Sequence, residues 1–153
     1  MEILHAATGI VKSGVVTTFM QVFSRVWTLW AVMEVAPTAQ NSIFTVLACT
    51  SWALVEVPRY LFYGAKILDI LPSWLNWLRY SLFAVLYPTG ITGELGCMYF
   101  AFFYTNGASD ANLIYLSYVI AAVALTYIPG SPTMYNHMVK ERRKNLAEKP
   151  KQN

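Results

Sequence analysis

Tyr87 and Glu94 are the two side chains in this sequence whose types and spacing suit acid–base chemistry. They stand seven residues apart, two helical turns, which puts both on one face about 10 Å apart along an unbroken axis. Pro88, Gly90 and Gly93 lie between them. Pro88 removes a backbone donor and invites a kink that would bring the two groups closer. A carboxylate inside a membrane-length apolar run is costly, so it is a functional candidate by default. A phenol and a carboxylate facing one cavity are the minimum set for moving protons on a bound substrate. Each also has a plainer role open to it: Tyr87 as a packed or interfacial aromatic, Glu94 as the partner of an arginine on a neighbouring helix.

Other charges fall inside or beside apolar runs. Gln21 and Arg25 are four apart on one helix face, and Arg25 should face the bundle or a polar cavity, as a structural partner or a substrate contact. Glu56 shares a face with Tyr60, and Arg59 with Tyr63. Lys66 and Arg79 follow in a mixed connector and at the start of the next apolar run.

The elements that must carry these residues are four apolar stretches, at about 13–35, 42–63, 79–104 and 113–128. Each approaches the length that a bilayer requires of a helix. The predicted fold is an all-α, polytopic membrane bundle over residues 1–136, with a basic tail at 137–153. Pro58 should bend or end the second span, Pro88 should break or bend the third, and the Pro129-Gly130-Ser131-Pro132 stretch should close the fourth. Connectors 36–41 and 105–112 contain no Lys or Arg, whereas Lys12, Arg59, Lys66, Arg79 and the tail fall at the opposite ends of the spans. That asymmetry predicts cytosolic termini. Arg59, Lys66 and Arg79 would then sit at a cytosolic mouth above Tyr87 and Glu94, suited to the phosphates of a substrate whose greasy tail lies between helices.

Composition agrees. Of 153 residues, 56% are hydrophobic and 12% charged, against roughly 25% charged in ordinary soluble domains. Ten Tyr and five Trp suit interfacial aromatic belts. Cys49 and Cys97 sit singly in apolar runs, and His5 and His137 lie at opposite ends, so neither a metal site nor a disulfide is expected. The N-terminal residues do not read as a secretory leader. The basic tail reads as a topology signal rather than a nucleic-acid site.

The segments Glu2-Ile3-Leu4-His5, Gln21-Val22-Phe23-Ser24-Arg25-Val26, Glu56-Val57-Pro58-Arg59-Tyr60, Leu78-Arg79-Tyr80 and the run from Tyr87 to Glu94 occur in an ordered series. In these the chain resembles the membrane 3-hydroxyacyl-CoA dehydratases of very-long-chain fatty-acid elongation, also called protein-tyrosine-phosphatase-like proteins. The likeness runs from Glu2 to about the end of the fourth span. It implies that Tyr87 and Glu94 are catalytic and that Arg79 and Gly90 support activity or integrity. It also implies an endoplasmic reticulum membrane lyase working beside a condensing enzyme and two reductases, with no metal or redox cofactor. Family members have six spans, so this chain is expected to begin in the tail of the second. A tyrosine phosphatase needs a Cys followed by five residues and an Arg, and neither Cys49 nor Cys97 has one. A non-catalytic membrane scaffold, a truncated inactive relative and a small transporter lined by Arg25, Glu56 and Glu94 are the alternatives.

Overall fold

The computed structural model describes residues 15–147, and every regular element in that range is helical. The segment Glu2-Ile3-Leu4-His5, Lys12 and the tail residues Lys149 and Lys151 lie outside the described residues. Helix α1, Val15–Trp27, runs directly into a π-helical segment, Thr28–Met33. The Glu34 amide closes that segment on the Leu29 carbonyl, a five-residue step. A short α2, Pro37–Gln40, begins on its own proline, where the missing N–H costs nothing.

Helix α3 spans Ile43–Ile67 and starts at Ser42, whose side chain accepts the Thr45 amide. It passes through Pro58 instead of ending there. At its far end the Ile70 amide reaches the Ala65 carbonyl and the Asp69 amide reaches Lys66. Asp69 takes the left-handed conformation (φ 56°) that this C-terminal closure requires.

Two expectations about the later chain are corrected. The predicted third span is interrupted at Leu82, giving α4, Ser73–Ser81, and α5, Phe83–Asn106. The interruption therefore falls before Pro88, which sits inside α5, and Arg79 belongs to α4. The second correction concerns Pro129-Gly130-Ser131-Pro132, which does not close the fourth helix. Helix α6 continues unbroken over Ala111–Ala147. The Thr133 hydroxyl donates back to the Pro129 carbonyl within this stretch. Residues 137–147 of the predicted tail are consequently helical. Among the described residues, one helix, Ala111–Leu146, is long and apolar enough to cross a membrane.

Helix α5 is the centre of the bundle, packed between α3 and α6. Its second half builds the hydrophobic core: Cys97, Met98 and Ala101 are buried against Ala48, Val32 and Ile120. Glycines set how closely α3 approaches. A Cβ on Gly93 would lie 2.7 Å from the Ala48 amide nitrogen, and one on Gly96 would lie 2.2 Å from the Phe44 ring. Small residues at such crossings let two backbones touch. At Gly90, by contrast, an added Cβ would meet Ser51 at an ordinary 3.7 Å.

Gly93→Ala is therefore expected to destabilise the fold by about 1–3 kcal/mol through overpacking, read as a lower melting temperature in detergent. Gly90→Ala should melt close to the parent.

Candidate active site

The first half of α5 borders a cavity of about 240 Å³ lined by α1, α3, α5 and α6. Tyr87 and Glu94 both line it, as their two-turn spacing on one helix requires. Gly90 lies between them on the same wall, where the lack of a side chain keeps the space open. Apolar groups make up much of the remainder, including Phe19 and Phe23 from α1, Val55 from α3 and Met134 and Met138 from α6.

Glu94 is buried, 6% exposed, and both of its carboxylate oxygens are held by neutral donors. The Trp52 indole N–H donates to Oε1 at 3.0 Å, and the Tyr127 hydroxyl donates to Oε2 at 2.5 Å. A buried carboxylate needs such donors to offset lost hydration. Trp52 comes from α3 and Tyr127 from α6, so three helices converge on one side chain. Tyr87 is half-buried, tilted against Tyr135, and donates to the Ser131 carbonyl at 3.3 Å.

The two contacts to α6 follow from antiparallel pairing. Tyr87, near the start of α5, meets Ser131; Glu94, two turns further on, meets Tyr127, one turn earlier on α6. Phe83 packs edge-on against Tyr135, continuing the same register.

Residue pattern alone assigns Trp52 and Tyr127 to the aromatic belts and misses both. Trp52 carries a signal nonetheless, because it stands mid-span, away from any interface, with an N–H that must find a partner. Tyr127 looks terminal only if the fourth helix stops at Pro129, and it does not.

Arg25 also lines the cavity, with its guanidinium over the Trp52 ring at 5.9 Å. It donates to Glu56 Oε1 at 2.5 Å, and Arg59 reaches Glu56 Oε2 at 2.8 Å. The expected carboxylate–arginine pair thus exists, but on Glu56 instead of Glu94. Arg59 lies one helical turn from Glu56 and does not line the cavity. Arg79 is also outside it, held among Phe62, Tyr63 and Tyr80 and donating to the Tyr63 hydroxyl at 3.3 Å. Lys66 stands exposed in the last turn of α3.

Over residues 1–148 the sequence matches the family described as protein tyrosine phosphatase-like protein, PTPLA. The chain belongs to this family. Among its curated relatives is the very-long-chain (3R)-3-hydroxyacyl-CoA dehydratase PASTICCINO 2B of Oryza sativa subsp. japonica, 37% identical over 97% of this chain and 72% of the relative. Very-long-chain (3R)-3-hydroxyacyl-CoA dehydratase 2 of Mus musculus is 39% identical over 96% of this chain and 61% of its own length. The dehydratase hpo-8 of Caenorhabditis elegans is 37% identical over 96% of this chain and 72% of its own. No solved structure matches the chain.

Glu56→Gln should remove the carboxylate shared by Arg25 and Arg59, lowering stability by about 1–2 kcal/mol after allowance for partial exposure. Thermal melting of the solubilised protein checks this, with Glu56→Asp expected to retain part of the loss.

Proposed function

We propose that this chain is a hydro-lyase that converts (3R)-3-hydroxyacyl-CoA to trans-2-enoyl-CoA in very-long-chain fatty-acid elongation. One observation carries the reading beyond the likeness to named dehydratases: Tyr87 and Glu94 face a single, largely apolar cavity from one helix. Loss of water across C2–C3 requires a base for the proton next to the thioester carbonyl and an acid for the departing hydroxyl. Glu94 takes the C2 proton. Tyr87 protonates the 3-hydroxyl as its bond to C3 breaks and the C2=C3 double bond forms. Return of one proton from Glu94 to the Tyr87 phenolate restores both groups, and water leaves. The 3.3 Å bond from Tyr87 to Ser131 is at the weak end of its class, so the phenol exchanges that acceptor for the substrate hydroxyl at little cost. The acyl chain lies along Phe19, Phe23 and Met134, and Gly90 leaves room for it.

The membrane reading extends this. The α1–π segment, α3, α5 and α6 act as four spans of an endoplasmic reticulum membrane protein, with the basic 137–153 tail in the cytosol. Support comes from the connectors at 36–41 and 105–112, which have no Lys or Arg, and from the cations grouped at the other ends. Residues 1–136 form the membrane unit. Arg59, Lys66 and Arg79 serve the CoA phosphates at its mouth, and Arg25 supports the wall from within. The product passes to a reductase, and the condensing enzyme and reductases of elongation are the expected neighbours.

Membranes depleted of their own dehydratase and carrying this chain should dehydrate a long-chain 3-hydroxyacyl-CoA. Glu94→Gln and Tyr87→Phe should each lower turnover at least about 100-fold while inserting normally; turnover equal to the parent would overturn the acid and base roles. In a Cys49→Ser, Cys97→Ser background, Thr38→Cys and Ser109→Cys should react with an impermeant thiol reagent only from the lumenal side, and Lys66→Cys from the cytosolic side.

A further inference from the structure

We infer that Tyr127, with Trp52, is a positioning residue that holds the Glu94 carboxylate toward the substrate carbon. The inference rests on the reading of Glu94 as the base. Each oxygen of that carboxylate accepts one neutral donor, from Trp52 on α3 and from Tyr127 on α6. The donors arrive from opposite neighbours of α5, so together they fix the plane of the carboxyl group and prevent its rotation away from the cavity.

Neutral donors suit a base better than a guanidinium would. An arginine in bidentate contact would occupy both oxygens in charge-assisted bonds and hold the carboxylate anionic against protonation. The bundle has a candidate at hand, since Arg25 lines the same cavity, yet that cation is committed to Glu56. The hydrogen bond of Arg25 goes to Glu56, and the groups that donate to Glu94 are the indole and the phenol. Tyr127 also lines the cavity, but its hydroxyl proton is engaged by Glu94, so it acts through the carboxylate and does not replace Tyr87 as the acid.

The test is steady-state kinetics on membranes carrying the full chain, with a long-chain 3-hydroxyacyl-CoA and rates normalised to accumulated protein. Tyr127→Phe removes one oxygen, and with it the bond to Glu94 and a contact with Ser24. Its kcat should fall about ten- to thirtyfold, within the range expected for one lost hydrogen bond to a charged group and short of the loss in Glu94→Gln, with KM within about twofold of the parent. Trp52→Phe should change kcat in the same direction, and it decides the matter if Tyr127→Phe fails to accumulate. Parental kcat in these variants while Glu94→Gln is inactive would overturn the positioning role and leave the proposed function standing. A raised KM at unchanged kcat, or a loss as complete as that of Glu94→Gln, would overturn it too, by making Tyr127 a substrate contact or a catalytic residue. Parental turnover in Glu94→Gln would instead remove the base itself.

Discussion

A carboxylate buried in an apolar bundle is the constraint on which the rest of this structure depends. Glu94 lies at the centre of α5, and its two oxygens can be satisfied only if a donor arrives on each side. The Trp52 and Tyr127 contacts therefore tie α3 and α6 to one point on α5. Gly93, the preceding residue, removes the side chain that would hold α3 away. The buried carboxylate and the close packing are set by adjacent positions of a single helix, each making the other possible.

From that point α5 divides into two halves with different duties. The half after Glu94 is filled with Cys97, Met98 and Ala101 and supplies the core. The half before it gives up packing density to border a cavity, and Gly90 keeps it open. The antiparallel run of α6 reads both halves in register, which is why Ser131 falls opposite Tyr87 and Tyr127 opposite Glu94. Helix α6 carries Pro129, Gly130 and Pro132 where it passes the cavity, so it forgoes two backbone donors beside the proposed chemistry. Functional sites commonly carry such departures from local rules.

The arginines show a division of labour that charge counting alone does not reveal. Arg25 and Arg59 share Glu56, joining α1 to α3 and neutralising part of the charge near the cavity wall. Arg79 is wrapped by three aromatic rings, so it fastens α4 to the end of α3 whatever else it meets. Cations that pattern alone points toward a ligand thus have structural partners as well. An arginine lends itself to such double use because its planar fork stacks on one face and donates at the edge.

Much of this was legible in the sequence because it depends on local spacing. Helical content, the paired faces of Tyr87 with Glu94 and Gln21 with Arg25, and the family likeness all follow from residue types at fixed intervals along one chain. Local rules allow a proline either to bend a helix or to end it, and the structure excludes the ending: Pro58, Pro88 and Pro129 each lie within a helix. Which donors satisfy Glu94 was beyond reach as well. Trp52 is 42 residues before it in sequence and Tyr127 is 33 after, and no periodicity links residues on different helices. The sequence by itself determined that an apolar helical chain would present a phenol and a carboxylate on one face. Only the tertiary structure decided that indole and phenol, not arginine, would hold the carboxylate, because that choice depends on how closely three helices approach and in what register.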